Sequence, residues 1–161
     1  MSLIIAGTGH RPDKLGGYSA QVSVRLFDLA VATLKHYKPD KIISGGALGW
    51  DTAIAMASIE LNIPLVLATP FKGQEVKWYF QDKLKYKRIL KLADAVVTVS
   101  QGGYSAKKMQ IRNQWMVDNS NVILALWDGS KGGTANCVNY AQKRNVKIIN
   151  VWNSWVRYKG F

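Results

Sequence analysis

Six short, continuously apolar runs punctuate the chain at 3–6, 41–44, 64–68, 95–99, 122–126 and 146–151, each rich in Ile, Val, Leu or Ala. Runs of that length without polar alternation suit strands buried on both faces of a parallel sheet. Between them, apolar residues recur at helical spacing over 21–37, 50–61, 74–92, 106–118 and 134–144. A β-α unit is thus repeated five times and closed by a sixth strand. Strict alternation predicts right-handed crossovers and an α/β fold: a Rossmann-like, doubly wound, mainly parallel sheet of about six strands with helices on both faces. The 161 residues amount to one domain, 1–161, with no linker, repeat or low-complexity tract inside it. The closing segment 152–161 is aromatic and basic, and is expected either to cap the sheet or to form a subunit contact.

Charge adds a constraint on partners. Twenty-two Lys and Arg against ten Asp and Glu give a net charge of +12, and the excess is uneven. Residues 1–71 carry six basic and five acidic side chains, whereas residues 72–161 carry sixteen and five. Such a field favours nucleotides, nucleic acid or an acidic protein. Carboxylates scattered singly offer no oxygen cage for a metal, and the single Cys137 with His10 and His36 is too little for disulfides or a Cys/His zinc site. No metal and no cofactor is therefore expected. A lone thiol fits a reducing compartment; the N-terminal apolar run is too short for a signal segment and no later run could span a bilayer. A cytoplasmic protein with no membrane contact is the expectation.

In open α/β sheets ligands sit beyond the carboxyl ends of the strands, so the segments leaving each strand carry the chemistry. Strand one exits into Gly7-Thr8-Gly9-His10-Arg11-Pro12, strand two into Ser44-Gly45-Gly46-Ala47-Leu48-Gly49-Trp50-Asp51, and strand three into Thr69-Pro70-Phe71. Strand four leads into Ser100-Gln101-Gly102-Gly103 and strand five into Asp128-Gly129-Ser130-Lys131-Gly132-Gly133-Thr134. Glycines at a strand-to-helix turn let backbone N–H groups approach an anion, and the following helix directs its positive end there. Lys131-Gly132-Gly133-Thr134 is the best phosphate cradle, with Thr134 as N-cap or hydroxyl donor; Ser44-Gly45-Gly46 is a second. Asp51 is open to a ribose hydroxyl, an acid/base role or a helix-dipole role, and His10 and Arg11 to phosphate. Neither GxGxxG nor GxxxxGK[ST] occurs, and GxSxG and HExxH are also missing.

These motifs, with Pro70-Phe71, Gln74 and Trp78, Arg112-Asn113 ahead of Met116-Val117-Asp118, and Asp128-Gly129 followed by Gly132-Gly133-Thr134, resemble the YpsA/YoqJ-like branch of the SLOG superfamily. That superfamily also holds LOG phosphoribohydrolases, Smf/DprA DNA-processing proteins and sensor domains of antiphage effectors. The resemblance covers essentially the whole chain and implies a Rossmann-like fold with a nucleotide or nucleotide-derived ligand. It adds Arg112 and Asn113 to the expected ligand-binding set of Gly7, Thr8, His10, Arg11, Ser44, Gly45, Gly46, Asp51, Pro70, Phe71, Asp128, Lys131, Gly132, Gly133 and Thr134. One departure stands out. LOG enzymes carry a PGGxGTxxE-like loop with a catalytic glutamate, whereas Ala135, Asn136 and Cys137 follow Thr134 here.

Three functions are thus open. The first is a binding module that senses or sequesters a nucleotide, such as an ADP-ribose-like molecule or a cyclic second messenger. The second is an enzyme acting at an N-glycosidic bond with Asp51 or Asp128 as its carboxylate. The third, less favoured, is single-stranded nucleic-acid binding, because segment 72–91 interleaves seven basic and two acidic residues with Trp78, Tyr79, Phe80 and Tyr86. Against it, helical spacing allows these aromatics to face the sheet while the lysines snorkel. The resemblance also implies a homodimer or higher homo-oligomer.

Overall fold

A computed structural model describes residues 2–158. Its six strands run β1 (Ile4–Gly9), β2 (Lys41–Ser44), β3 (Leu65–Thr69), β4 (Ala95–Thr98), β5 (Val122–Leu126) and β6 (Lys147–Asn150). They form one all-parallel sheet in the order β4-β3-β2-β1-β5-β6. The helices are α1 (Ala20–Tyr37), α2 (Trp50–Glu60), α3 (Phe80–Leu92), α4 (Ala106–Asp118), α5 (Gly133–Lys143) and α6 (Trp152–Tyr158). The expected Rossmann-like sheet with helices on both faces is therefore present. Strand order reverses between β1 and β5, so the switch-point crevice lies there.

Alternation along the strands sorts the core into two layers. Ile5, Ile42, Leu65, Leu67, Val122, Leu124 and Leu126 face one side and pack with α1, α2, Tyr86 and Ile89 of α3, and Trp155 of α6. Ala6, Ile43, Ala68 and Ile123 face the other side, against Met116 and Val117 of α4 and Cys137 and Ala141 of α5. β4 forms an outer edge with much of its surface exposed.

Two expectations from the sequence change. First, Gly7-Thr8-Gly9 is not an exit loop: it extends β1, paired with Leu124, Ala125 and Leu126. A Cβ on Gly9 would meet Trp50 Cβ and Cδ1 at 2.6 Å, so this glycine is a contact point for α2. Second, the helix expected over 74–92 begins only at Phe80. Residues 73–78 form tight turns instead, with Val76 N bonded to Gly73 O and Trp78 N to Glu75 O, and Gly73 has φ 87°. The tail, expected to cap the sheet or to form a subunit contact, becomes α6, whose Trp155 is fully buried in the core; the part of that expectation at 159–161 lies outside the described residues.

The close approach at β1 predicts that Gly9→Ala lowers the unfolding free energy by about 1–3 kcal/mol through overpacking against Trp50. Urea denaturation monitored by tryptophan fluorescence measures it.

Candidate functional site

Strand exits and α4 enclose a cavity of about 510 Å³ at the switch point. Its walls are Thr8 and Gly9 at the end of β1, His10, Arg11, Asp13 and Lys14 after it, Ala47 and Asp51 beyond β2, and Ser130 to Thr134 beyond β5. From α4 come Met109, Gln110, Arg112 and Asn113, with Tyr104 in the loop before it and Asn136 in α5.

Arg112 organises the floor. Its side chain is 4% exposed, and Nη1 donates to Gly45 O at 2.7 Å and Ala68 O at 3.3 Å while Nε donates to Asn113 Oδ1 at 3.0 Å. β2 ends at Ser44, so the Gly45 carbonyl lies past the ladder and needs another donor. Gln74 Nε2 supplies a second one at 3.0 Å and also donates to the Tyr86 hydroxyl at 3.0 Å. Arg112 Nη2 has no protein acceptor among the described residues, and the residue lines the cavity.

Asp51 stands opposite. A Cβ on Gly45 would lie 2.5 Å from Arg112 Nη1 and 2.8 Å from Asp51 Oδ2, so only a glycine fits between acid and base. Asp51 Oδ2 accepts from Ala47 N at 3.3 Å, and its carbonyl accepts from Ser44 Oγ at 2.8 Å. Burial pushes its carboxyl from 3.8 up to about 6, against the opposing pulls of Arg112, the Ala47 amide and Arg11. Burial likewise draws the Arg112 guanidinium below its usual range, and Asp51 works against that. Arginine remains cationic in any case. Cys137, pushed up to about 11 chiefly by burial, is a protonated thiol at neutral pH.

The β5 exit leaves a helix start without a side-chain cap. Gly132, with φ 143°, is the N-cap of α5 and offers no side-chain oxygen. Thr134 is consequently inside the helix and not its cap. Asn136 N bonds back to Gly132 O, while the amides of Gly133, Thr134 and Ala135 have no acceptor among the described residues. Lys131 stands beside them on the wall. The turn before it is pinned by Asp128, whose Oδ1 accepts from Ser130 N at 2.8 Å, and by Lys14 Nζ donating to Ser130 Oγ at 2.8 Å. Hydrogen bonds from Ser130 hold the Asp128 carboxyl well below the usual range, helped by His10. His10 Nε2 lies 2.8 Å from Asp128 Oδ1 and 3.0 Å from Asp128 N, so one ring atom faces both a carboxylate and an amide donor. Its proton decides which bond forms.

A family model described as the YspA SLOG family matches residues 5–152. The chain belongs to that family. Among relatives of this SLOG protein, the SPbeta prophage-derived protein YoqJ of Bacillus subtilis is 41% identical over 119 residues, 64% of this chain and 70% of YoqJ. DNA processing protein A from Streptococcus pneumoniae superposes with a TM-score of 0.68 at 17% identity, over 92% of this chain, which spans only half of that protein. DNA processing protein A from Helicobacter pylori, a protein with a described single-stranded DNA binding mode, gives a TM-score of 0.66 at 18% identity over 92% of this chain and 65% of its own. At such identities the structural likeness establishes the fold.

The expected site residues of this SLOG chain divide by position. Thr8, His10, Arg11, Asp51, Arg112, Asn113, Lys131, Gly132, Gly133 and Thr134 share the cavity wall. Ser44, Gly45 and Gly46 lie off it, beneath Asp51, Arg112 and Gln74. Gly7 faces the Ile54 side chain, Asp128 supports the loop, and Pro70 and Phe71 are buried, with Phe71 edge-on to Tyr104 at 6.2 Å. Asp13, Lys14, Tyr104, Met109, Gln110, Ser130 and Asn136 were not expected at the cavity. Met109 and Gln110 had one legible signal, since they lie a helical turn before Arg112 and Asn113. Among the described residues no group of three His, Cys, Asp or Glu is placed to hold a metal ion.

Asp51 makes stability pH-dependent. Its folded pKa, about 6, exceeds the ordinary 3.8, so its contribution is full below about pH 4 and is lost as pH rises through 6. Asp51→Asn removes that dependence. The variant should therefore gain about 2–3 kcal/mol relative to the parent between pH 4 and pH 8, measured by urea denaturation across that range.

Proposed function

We propose that the protein binds a nucleotide or nucleotide-derived ligand, an ADP-ribose-like molecule or a cyclic second messenger, to sense or sequester it. The observation that carries this reading is the uncapped N-terminus of α5 opening into the switch-point cavity beside Lys131. Three free amides at the positive end of a helix form an anion seat, and Lys131 adds a charge that a phosphate oxygen would meet. A volume of about 510 Å³ is in the range of nucleotide-sized sites. Tyr104, 74% exposed and backed by Phe71, provides a ring at the wall against which a base can stack. Arg112 Nη2, Asn113 and Asp51 supply polar groups for the sugar between them.

A second reading, cleavage at an N-glycosidic bond, draws on Asp51. A buried carboxyl with a pKa near 6 in the same cavity as an arginine has the character of a general acid or base. The glutamate of the LOG loop has no counterpart at Ala135, Asn136 or Cys137. Release of free base from a nucleoside monophosphate, abolished in Asp51→Asn, would select turnover; bound ligand with no base released on long incubation would select binding alone.

Isothermal titration against adenosine phosphates and ADP-ribose should give saturable binding, weakened by about 1.5–3 kcal/mol in Lys131→Ala through loss of a charge-assisted phosphate bond. The absence of heat with every member of that panel would overturn the proposal.

A further inference from the structure

Segment 72–91 carries seven basic and two acidic residues, and none of it lines the switch-point cavity. Its four aromatics part company. Trp78 and Tyr86 turn inward and meet edge to face at 5.2 Å, with Tyr86 4% exposed. Tyr79 and Phe80, at the entry to α3, are 77% and 73% exposed. On the helix, residues 80, 84, 87, 88 and 91 share a face at three- and four-residue spacing. Phe80 and Leu84 are exposed at its start, and Lys87, Arg88 and Lys91 are exposed further along it. Val76 and Lys77, also exposed, precede the rings in the turn.

Two bare aromatic rings beside a row of cations call for a partner. We infer that this face of α3, with the turn before it, docks a single-stranded nucleic acid: bases stack on Tyr79 and Phe80, and the phosphate backbone follows Lys87, Arg88 and Lys91. Stacking tolerates any base, and a lysine row meets a phosphate chain without reading sequence, so the surface is nonspecific in register. A duplex hides its base faces and would use only the cations.

The alternatives fit the face less well. A helix lying in a membrane surface segregates a long apolar stripe from its cations. Here the apolar positions 80 and 84 are followed on the same face by Arg88 and Lys91, which would have to enter the lipid. A second copy of the chain would bring one lysine row against another, a repulsive pairing. A polyanion with unpaired bases is complementary to both parts at once.

Fluorescence anisotropy with a labelled oligothymidylate of about 20 nucleotides tests the assignment, a length that spans several stacking sites. Binding should weaken steeply with salt. Tyr79→Ala/Phe80→Ala should cut affinity at least about tenfold with the salt slope kept, and Lys87→Ala/Lys91→Ala should reduce that slope by about 1.4. All four side chains are exposed, and urea denaturation should give parental stability; Tyr79→Ser alone provides a milder variant with the same expected direction. No binding at low salt overturns the proposal, as does equal affinity of the aromatic double variant and the parent. Binding to phosphatidylserine vesicles that is lost in the aromatic variant would reassign the face to a membrane surface. Self-association in sedimentation that is lost in the same variant would reassign it to a contact between copies. Lys131→Ala should leave oligonucleotide affinity unchanged, which separates this surface from the cavity.

Discussion

A guanidinium buried under the carboxyl edge of the sheet holds the site together. Arg112 reaches from α4 to the carbonyls of Gly45 and Ala68, where β2 has ended and the strand ladder can no longer satisfy them. An unpaired buried carbonyl costs on the order of 1–3 kcal/mol, and an unpaired buried cation costs more, so each group needs the other. Lysine could not replace this clamp, because a single ammonium lacks the forked set of donors that also reaches Asn113. The glycine at 45 follows from the same constraint: any side chain there would displace either the arginine or the carboxylate facing it.

That clamp accounts for the electrostatic character of the cavity. A carboxylate at Asp51 would be poorly tolerated in such a buried place without Arg112, and even so burial outweighs the attraction and leaves the acid titrating near neutrality. The floor thus sets an acid and a base on either side of Gly45, with limited net charge, whereas the β5 rim is a bare helix terminus with Lys131. The two ends of the cavity differ in kind. One is suited to hydroxyls and ring nitrogens, which donate and accept; the other is suited to a full negative charge. The proposed ligand, with a phosphate at one end and a sugar or base at the other, would follow that gradient.

Much of the fold could be read in the sequence because a two-face-buried parallel strand has an unmistakable composition. β2 and β5 fall where their apolar runs lie, and α4 spans its expected 106–118. Failures came where a tertiary contact replaced local preference. Glycines at 7 and 9 look like a loop, yet they are strand residues whose missing side chains admit Ile54 and Trp50. The chain at 74–79 has helical spacing, but Gln74 is drawn away to the Gly45 carbonyl and Tyr86 hydroxyl, and the helix starts late. At the site, the residues on strand exits were legible from glycine clusters. Lys14 and Tyr104 were not, because only the packing around α4 and the turn after Pro12 brings them to the crevice.

The net charge of +12 can now be divided by what each cation touches. Among the described residues, the cations Arg11, Lys14, Arg112 and Lys131 line the cavity, beside the carboxylates of Asp13 and Asp51. Of these, Arg112 is committed to backbone carbonyls and Lys14 to Ser130, so the cavity itself is only weakly positive. The strong field arises elsewhere, above all on the exposed side of α3. At physiological ionic strength charges are screened beyond about 8 Å, so remote lysines add little to the affinity of a ligand seated in the crevice and act instead on encounter rate. A surface whose cations are many, exposed and shared with bare rings has the opposite character, since its affinity comes from displaced counterions. Binding at the two proposed places would therefore differ in salt dependence even for the same phosphate chemistry, because geometry would fix one and ion release would drive the other.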